Sequence, residues 1–277
     1  MLIAGLGEQI GSVEFPEDFC EALAGRGFRA LRMDNRDAGL STDFPDHPIE
    51  LGAFFAAHAA GAAPPVPYTL DDMADDVAGL LDALGVARAH VLGASLGGVI
   101  ARLVAIRHPA RVASLTLVMS GCGAQPGDVD VDLRPDPAMF GRMLGMAERV
   151  ADRGQAIERL VETWRALWGP GSSFDEAWVR SRVAAAYDRS YRPEGMARQL
   201  AAAVATRGFF AAQSRIEVPT MIVHGDSDPM LPLEHARITA AAIPGARLRV
   251  IEGMGHEMDR RMWPELLRSL EEVARGG

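Results

Sequence analysis

The chain has 277 residues, of which 48% are hydrophobic and 23% charged, and its formal net charge is −9. This length fits one large domain, or one domain with an inserted subdomain, better than two independent cores. The acidic balance leaves no basic surface for nucleic acid or anionic lipid. All 28 basic residues are arginine, which excludes the lysine chemistry of P-loops, kinases, pyridoxal enzymes and Ser-Lys dyads.

No targeting or membrane segment stands out in the sequence. The N-terminal segment lacks a positive region followed by a long apolar region, and no stretch is apolar for the roughly 18 residues that a membrane helix needs. Cys20 and Cys122 lie far apart without CxxC spacing, which argues against a thiolate zinc site and a disulfide framework. We therefore expect a cytoplasmic protein that contacts neither membrane nor nucleic acid.

Short apolar runs alternate with helical patterns in the N-terminal part of the chain. Apolar periodicity, with proline and threonine at helix starts and glycine past helix ends, sets the expected elements. In chain order these are a helix over 15–23, a strand over 28–33, a helix between Thr69 and Gly85, a strand over 90–92, a helix over 97–108 and a strand over 113–119. The connection over 53–67 is expected to be loop and short helix.

The pattern then changes to helices without strands from residue 125 to residue 215, a region rich in Met, Trp and Arg. Afterwards the alternation resumes with a strand over 220–223, a helix over 233–242, a strand over 248–251 and a helix over 263–275. This order predicts an α/β fold with a doubly wound, mostly parallel sheet. Residues 1–124 and 216–277 would form its core, and residues 125–215 an inserted helical cap or lid.

A candidate nucleophile lies in Gly93-Ala94-Ser95-Leu96-Gly97, which matches Gly-x-Ser-x-Gly. A predicted strand precedes it and a predicted helix follows, and its glycines stand where a tight turn brings backbones together. The amides at a helix start favour a developing negative charge. A nucleotide-binding turn is the alternative, but it would show G-x-G-x-x-G without a serine at its apex.

A nucleophilic serine needs a base and an acid that orients the base. Among the seven histidines, His256 follows a strand in a glycine-rich loop, whereas the others are interpreted as structural, with an indirect role left open for His224. Asp228 is the expected acid because Pro229 favours an extended backbone that points the carboxylate off the strand end. Asp226 is the alternative acid. A metal site of His224, Asp226 and Asp228 would need further ligands that the sequence does not group nearby.

These residues resemble the α/β-hydrolase fold superfamily, whose triad follows the chain order Ser, Asp, His. The resemblance runs from Gly5 to the last helix. It includes GASLG over 93–97, HGDSDP over 224–229 and GMGH over 253–256. The blocks DNRDAGLST over 34–42 and GLGEQ over 5–9 look most like the esterase branch that includes the aclacinomycin methylesterases.

The resemblance implies an oxyanion hole made of the backbone amides of Leu6 and Leu96, since Ala4-Gly5-Leu6 stands in the place of the family's His-Gly-x segment. Arg36 and Asp37 are interpreted as a salt-bridged turn. Family members carry two further strands before this segment, so the sequence is either truncated at its start or lacks the first two strands of the sheet. The strand over 28–33 would then be a sheet edge, which we expect the chain's own loops or a second copy to cover.

The implied activity is a serine hydrolase that cleaves carboxylic esters of small to medium apolar molecules through an acyl-enzyme on Ser95, with His256 as base and Asp228 as its orienting acid. The cap would form an apolar pocket, and no cofactor or metal is implied. Serine disfavours the dehalogenase and epoxide hydrolase chemistry that uses aspartate in this fold. Two alternatives stay open: acyl transfer, perhydrolysis or C–C bond hydrolysis by the same triad, and a non-catalytic ligand-binding protein.

Overall fold

A computed structural model describes residues 1–124 and 127–276 of the chain. Within them, five strands form one parallel sheet, in which the strands lie side by side in chain order. The strands are β1 (Leu2–Ile3), β2 (Ala89–Ala94), β3 (Val112–Val118), β4 (Thr220–Gly225) and β5 (Arg247–Ile251). The expected α/β fold with a parallel sheet is confirmed.

Helices cover both faces of this sheet and fill the connection between β3 and β4. In the described part of the chain they are α1 (Glu17–Ala24), α2 (Leu51–Ala59), α3 (Leu70–Ala83), α4 (Leu96–Arg107), α5 (Pro137–Met146), α6 (Arg153–Leu167), α7 (Glu176–Arg189), α8 (Pro193–Ala205), α9 (Phe209–Ala212), α10 (Glu234–Ala242) and α11 (Trp263–Arg275). The predicted last helix agrees with α11 at both ends. The expected short helix within 53–67 begins earlier, because Glu50 accepts hydrogen bonds from the amides of Gly52 and Ala53 and so caps α2.

The direction of winding reverses at β1. Leu2 pairs with Leu92 of β2 on one side and forms an isolated bridge to Arg32 on the other. The chain therefore leaves β1 towards one edge and returns to its opposite side to form β2. In open α/β sheets, ligands bind beyond the carboxyl ends of the strands at such a reversal, so this topology points to the crevice above β1 and β2.

The prediction of a strand over 28–33 is wrong. Apart from the bridge at Arg32, the segment is extended without regular pairing, although the amide of Leu2 donates a hydrogen bond to the carbonyl of Leu31 at 2.8 Å. The neighbouring β1 contains only two residues, so the segment has too short a partner for a ladder. Association of two copies through this edge stays a prediction.

Alternating side chains of the strands pack into two separate cores. Val91 of β2 lies in a cluster with α3, α4 and α10, whereas the next residue, Leu92, lies in a cluster with α1 and α11. This is the pattern of a strand buried on both faces. Each fully buried aliphatic side chain contributes roughly 1.5–3 kcal/mol of transfer free energy, so the two layers of helices hold the sheet rigidly.

The helices α5 to α9 lie between β3 and β4, where the sequence predicts an insertion. Val161 and Trp164 of α6 and Val183 of α7 belong to a third buried cluster. The division into a core and a cap over 125–215 stays a prediction, and its first residue, Gln125, lies outside the described residues with Pro126. Across 1–124 and 127–276, no helix has the length and apolar character needed to cross a bilayer.

We expect Gly97→Ala to lower the free energy of unfolding by more than about 2 kcal/mol, because overpacking against backbone cannot relax by a side-chain rotation. A Cβ at Gly97 would lie 2.0 Å from the carbonyl oxygen of Ile3. Gly79 is the matched control, since it lies exposed in α3 with no atom within 4 Å of an added Cβ. Gly79→Ala should raise the free energy of unfolding by roughly 0.5–1 kcal/mol. Urea unfolding measures both, and equal effects would contradict the close backbone contact.

Candidate active site

The turn between β2 and α4 holds Ser95 in an unusual backbone conformation, with φ 51° and ψ −119°. A positive φ is rare for residues with a side chain, and such strain costs about 1–3 kcal/mol unless the surroundings impose it. Here the Ser95 amide donates a hydrogen bond to the carbonyl of Val118 in β3 at 2.9 Å. The turn thus projects the serine hydroxyl from the carboxyl end of β2.

Close backbone contacts explain the two glycines of the motif. A Cβ on Gly93 would lie 2.2 Å from the carbonyl oxygen of Gly97, and a Cβ on Gly97 would lie 2.0 Å from that of Ile3. No side-chain rotation relieves a clash with backbone atoms. Glycine is therefore required at both positions for α4 to begin directly above β1 and β2.

His256 reaches the serine from the loop between β5 and α11. Its Nε2 atom lies 3.0 Å from Oγ of Ser95. Its backbone amide donates a hydrogen bond to the carbonyl of Leu167, the last residue of α6, at 2.8 Å. The residue is only 6% exposed, so the end of α6 both supports this loop and shields the imidazole from water.

Asp228 lies on the other side of the imidazole. Its Oδ2 atom is 2.8 Å from Nδ1 of His256, and its Oδ1 atom accepts hydrogen bonds from the amides of Met230 and Leu231, both at 2.8 Å. The structure thus brings the three predicted residues into one hydrogen-bonded chain. The alternative acid, Asp226, is exposed and accepts a hydrogen bond from the amide of Gly253 at 2.7 Å instead.

The electrostatics of the pair favour a protonated imidazole next to a carboxylate. Burial alone would lower the pKa of His256, but the charge of Asp228 and its hydrogen bond outweigh burial and raise that pKa above 6.5. Burial likewise works to raise the pKa of Asp228, yet the charge and hydrogen bond of His256 bring that pKa below its usual value. Such a pair can hold a proton transiently on the imidazole.

The neighbouring His224 and Cys122 lie outside this chain of hydrogen bonds. Nε2 of His224 is 2.7 Å from the carbonyl oxygen of Leu231 and 3.4 Å from Oδ2 of Asp228, and burial lowers the pKa of His224. A neutral His224 therefore helps to hold the loop that carries Asp228. Cys122 is fully buried, and its Sγ atom lies 3.3 Å from Nδ1 of His235.

Two backbone amides beside the serine are free. The amides of Leu6 and Leu96 donate no hydrogen bond to any residue within the described ranges. Both residues border the same cavity as Ser95 and His256. This arrangement suits an oxyanion hole, and the role of the two amides stays a prediction.

The cavity above the serine has a volume of about 300 Å³ and is almost entirely apolar. Helices between β3 and β4 supply much of its wall. Its apolar side chains from that region are Met139, Phe140, Met143, Met146, Trp164, Leu167, Met196, Leu200 and Ala203. Over the described ranges, no group of three or more His, Cys, Asp or Glu side chains is arranged to hold a metal ion.

An unforeseen brace ties α8 to the floor of this cavity. The buried carboxylate of Asp37 accepts two hydrogen bonds from the guanidinium of Arg198, at 2.7 and 2.9 Å. The side chain of Gln199 accepts a hydrogen bond from the amide of Gly7 at 2.9 Å and donates one to the carbonyl of Arg36 at 2.7 Å. Arg36 and Asp37 both form salt bridges, but with distant partners and not within a turn: Arg36 pairs with Asp76 of α3, and Asp37 pairs with Arg198 of the predicted cap.

Sequence reasoning missed two glutamates in the cavity. Glu8 and Glu14 border it together with Ser95 and His256. Burial and the nearby Glu8 raise the pKa of Glu14 to about 8. Polar residues in a loop are usually solvated, so nothing local predicted that these two would be buried. The one available signal was that both follow the predicted oxyanion residue Leu6 closely in the chain.

Comparisons with known proteins agree with this geometry. A model of the α/β hydrolase fold family matches residues 1–258. Rhodomycin D methylesterase DauP of Streptomyces sp. (strain C5) is 32% identical over 272 residues, which cover 93% of this chain and 84% of that protein. 2-Hydroxymuconate semialdehyde hydrolase of Pseudomonas sp. (strain CF600) is 31% identical over 219 residues, 76% of this chain and 68% of that protein.

A solved structure is similar throughout. The crystal structure of a hydrolase from Pseudomonas aeruginosa PA01 superposes with a TM-score of 0.68 at 25% identity, covering 100% of this chain and 89% of that chain. The fold assigned from the strands and helices above therefore has a close structural counterpart.

Titration of His256 tests the electrostatics of the site directly. We expect Asp228→Asn to lower the pKa of His256 by at least about 1 pH unit, because burial still favours the neutral ring while the carboxylate that favoured the imidazolium is gone. NMR of ¹⁵N-labelled imidazoles measures this pKa. Asp226→Asn is the matched control and should leave it unchanged. A larger effect from Asp226→Asn would show that the wrong carboxylate has been paired with His256.

Proposed function

The chain belongs to the α/β-hydrolase fold family, and on that premise we propose that it is a serine hydrolase that cleaves carboxylic esters. The hydrogen-bonded chain from Ser95 through His256 to Asp228 is the observation that carries the proposal. Its distances of 3.0 and 2.8 Å lie within reach of proton transfer. The similarity to a methylesterase over 93% of the chain supports the ester as the bond that is cleaved.

In the first half of the proposed reaction, Oγ of Ser95 attacks the ester carbonyl carbon while Nε2 of His256 takes the hydroxyl proton. The carboxylate of Asp228 accepts the Nδ1–H bond and stabilises the imidazolium that results. The carbonyl oxygen becomes an oxyanion. The same proton then passes from His256 to the alkoxide, so the alcohol leaves neutral and an acyl ester remains on Ser95.

In the second half, water attacks the acyl-enzyme and His256 takes its proton. The tetrahedral intermediate collapses, the proton returns to Oγ of Ser95, and the carboxylic acid is released. The free amides of Leu6 and Leu96 are suited to receive the oxyanion in both halves. Each such donor is typically worth about 3 kcal/mol of transition-state stabilisation.

The shape and chemistry of the cavity support an ester of small to medium size. A volume of about 300 Å³ holds a short acyl chain together with part of the alcohol. Methionines, which adapt to irregular shapes, line it from Met139 to Met196. We expect tolerance towards the alcohol and a preference for acyl chains that fill the apolar wall.

Hydrolysis of a C–C bond by the same triad is the second candidate, since the similarity to 2-hydroxymuconate semialdehyde hydrolase favours it. A muconate carries a carboxylate, which needs a cationic partner when it is buried. No arginine is among the described residues that border the cavity, and two glutamates are. The lack of a cationic partner for a buried carboxylate therefore favours the ester over the carboxylate substrate.

We expect Ser95→Ala to lower kcat for p-nitrophenyl butyrate by about 10⁴- to 10⁶-fold, because nucleophile and base act as one unit. The wild-type protein should hydrolyse acetyl to hexanoyl esters faster than the decanoyl ester. Release of p-nitrophenolate measures both.

Ser214→Ala, a variant of an exposed serine, is the matched control and should retain wild-type turnover. Full turnover by Ser95→Ala would contradict the proposed nucleophile. Added alcohol or peroxide separates the related reactions: a product ester or peracid formed in preference to the acid would assign acyl transfer or perhydrolysis instead of hydrolysis.

A further inference from the structure

The cavity above Ser95 has a strongly one-sided charge distribution. Besides His256, its ionisable side chains in the described part of the chain are Glu8 and Glu14. None of the 28 arginines is among the described residues that border it. A wall of methionine, leucine and tryptophan supplies almost no polar contact, so these two carboxyl groups are the polar end of an otherwise apolar space.

Glu14 lies directly beside the nucleophile. A Cβ placed on Gly5 would be 2.9 Å from Oε1 of Glu14 and 3.1 Å from Cβ of Ser95. Oε2 of Glu14 accepts a hydrogen bond from the Gly5 amide at 2.7 Å, which fixes the carboxyl group against the segment that carries Leu6. Oε1 accepts no hydrogen bond from the described residues, and Glu14 is only 4% exposed. This oxygen is therefore available to a ligand in the cavity that Glu14 and Ser95 both border.

Glu8 extends the acidic end away from the serine. Its Oε2 atom accepts a hydrogen bond from the hydroxyl of Ser12 and lies 3.5 Å from the amide nitrogen of Glu14, and the backbone of Val13 also donates to this carboxyl group. Glu8 also borders a second cavity of about 80 Å³. Met146, Trp164 and Met196 line both cavities. Glu8 thus lies between the two cavities.

No arginine borders the cavity beside this pair, and the one nearby group that can carry a positive charge among the described lining residues is His256. Burial raises the pKa of both carboxyl groups, and the proximity of Glu8 raises that of Glu14 further. An ionised carboxylate in an apolar cavity is destabilised unless a cation or several donors accompany it. Glu14, with a pKa of about 8, is therefore largely protonated at neutral pH in the empty cavity. A cation that arrives with the ligand stabilises its ionised form instead.

We propose that Glu8 and Glu14 bind a protonated amine on the substrate, so that the protein selects esters with an amino group a short distance from the scissile carbonyl. Oε1 of Glu14 accepts one N–H bond of the ammonium group, and the carboxylate of Glu8, which has lone pairs left over from its own hydrogen bonds, accepts another. The remaining substrate lies against the apolar wall. The inference rests on the proposed ester hydrolysis for its catalytic consequence, but the binding of an amine is independent of turnover.

The site disfavours the binding of a substrate that carries a carboxylate. No arginine borders the cavity in the described part of the chain to neutralise it, and its charge makes ionisation of Glu8 and Glu14 still more costly where water is excluded. The same pair therefore favours amino esters and rejects acidic ones. An ester with a hydroxyl group would gain one neutral hydrogen bond, so its kcat/KM should lie between those of the amino ester and the acidic ester.

Four phenyl esters of matched size test the selectivity: 3-aminopropanoate, 3-hydroxypropanoate, butanoate and the monoester of succinate. Each kcat/KM is divided by the uncatalysed hydrolysis rate to remove differences in intrinsic reactivity. At neutral pH we expect the amino ester to exceed butanoate by at least about tenfold, with succinate slowest, because charge-assisted hydrogen bonds are the stronger ones.

Glu8→Gln and Glu14→Gln keep an acceptor oxygen and nearly the same shape, so the contacts to Ser12 and Gly5 can persist. Each should reduce the ratio of amino ester to butanoate by at least about tenfold. Glu217→Gln, an exposed site far along the chain, should leave the ratio unchanged. Thermal unfolding verifies that each variant is folded. An unchanged ratio in folded Glu8→Gln and Glu14→Gln, or a preference for the hydroxy ester, would overturn the proposal.

Calorimetric binding to Ser95→Ala separates this inference from the proposed function. Methyl 3-aminopropanoate should bind at least about tenfold more tightly than methyl butanoate, and Glu14→Gln in the same background should abolish the difference. If the wild-type protein hydrolyses no ester but this difference is found, the proposed function fails and the amine site stands. If esters are hydrolysed without any difference in binding, the amine site fails alone.

Discussion

The close approach of three backbone segments at the end of β2 is the constraint on which the site depends. Gly97 packs directly on the carbonyl of Ile3, and Gly93 on that of Gly97, so α4 begins right above β1 and β2. This packing forces Ser95 into a strained turn with its hydroxyl off the sheet edge. Leu96, the first residue of α4, borders the same cavity as Leu6. One steric arrangement thereby brings the Ser95 hydroxyl and the two proposed oxyanion-hole residues to one cavity.

The other residues of the site, Asp228 and His256, are held in place by hydrogen bonds in buried surroundings. The Asp228 carboxylate is oriented by two amides of its own loop before it meets His256. The loop of His256 is in turn supported by the carbonyl of Leu167 at the end of α6. The salt bridge between Asp37 and Arg198 joins α8 to the opposite wall. Helices from the predicted cap thus position the chemistry as well as enclosing it.

Local patterns account for what the sequence could predict. Helix α11 and strands β2 to β5 follow apolar periodicity, and the site residues follow from glycine and proline next to reactive side chains. Three features depended on distant parts of the chain instead. Arg198 pairs with a residue 161 positions away, which no local pattern reveals. The segment 28–33 has strand composition but only Leu2 beside it to bridge. Glu14 is a polar loop residue whose burial emerges only when the sheet and helices assemble.

The central claim is that Ser95 is an activated nucleophile beside an oxyanion site. Reaction with a p-nitrophenyl alkylphosphonate tests it most directly, since the reagent traps such a serine as a stable mimic of the tetrahedral intermediate. Mass spectrometry of the labelled protein should find one phosphonyl group, located on the peptide that contains Ser95, with loss of ester turnover in proportion to labelling. Unlabelled protein after prolonged exposure, or a label on another residue with turnover intact, would contradict the account.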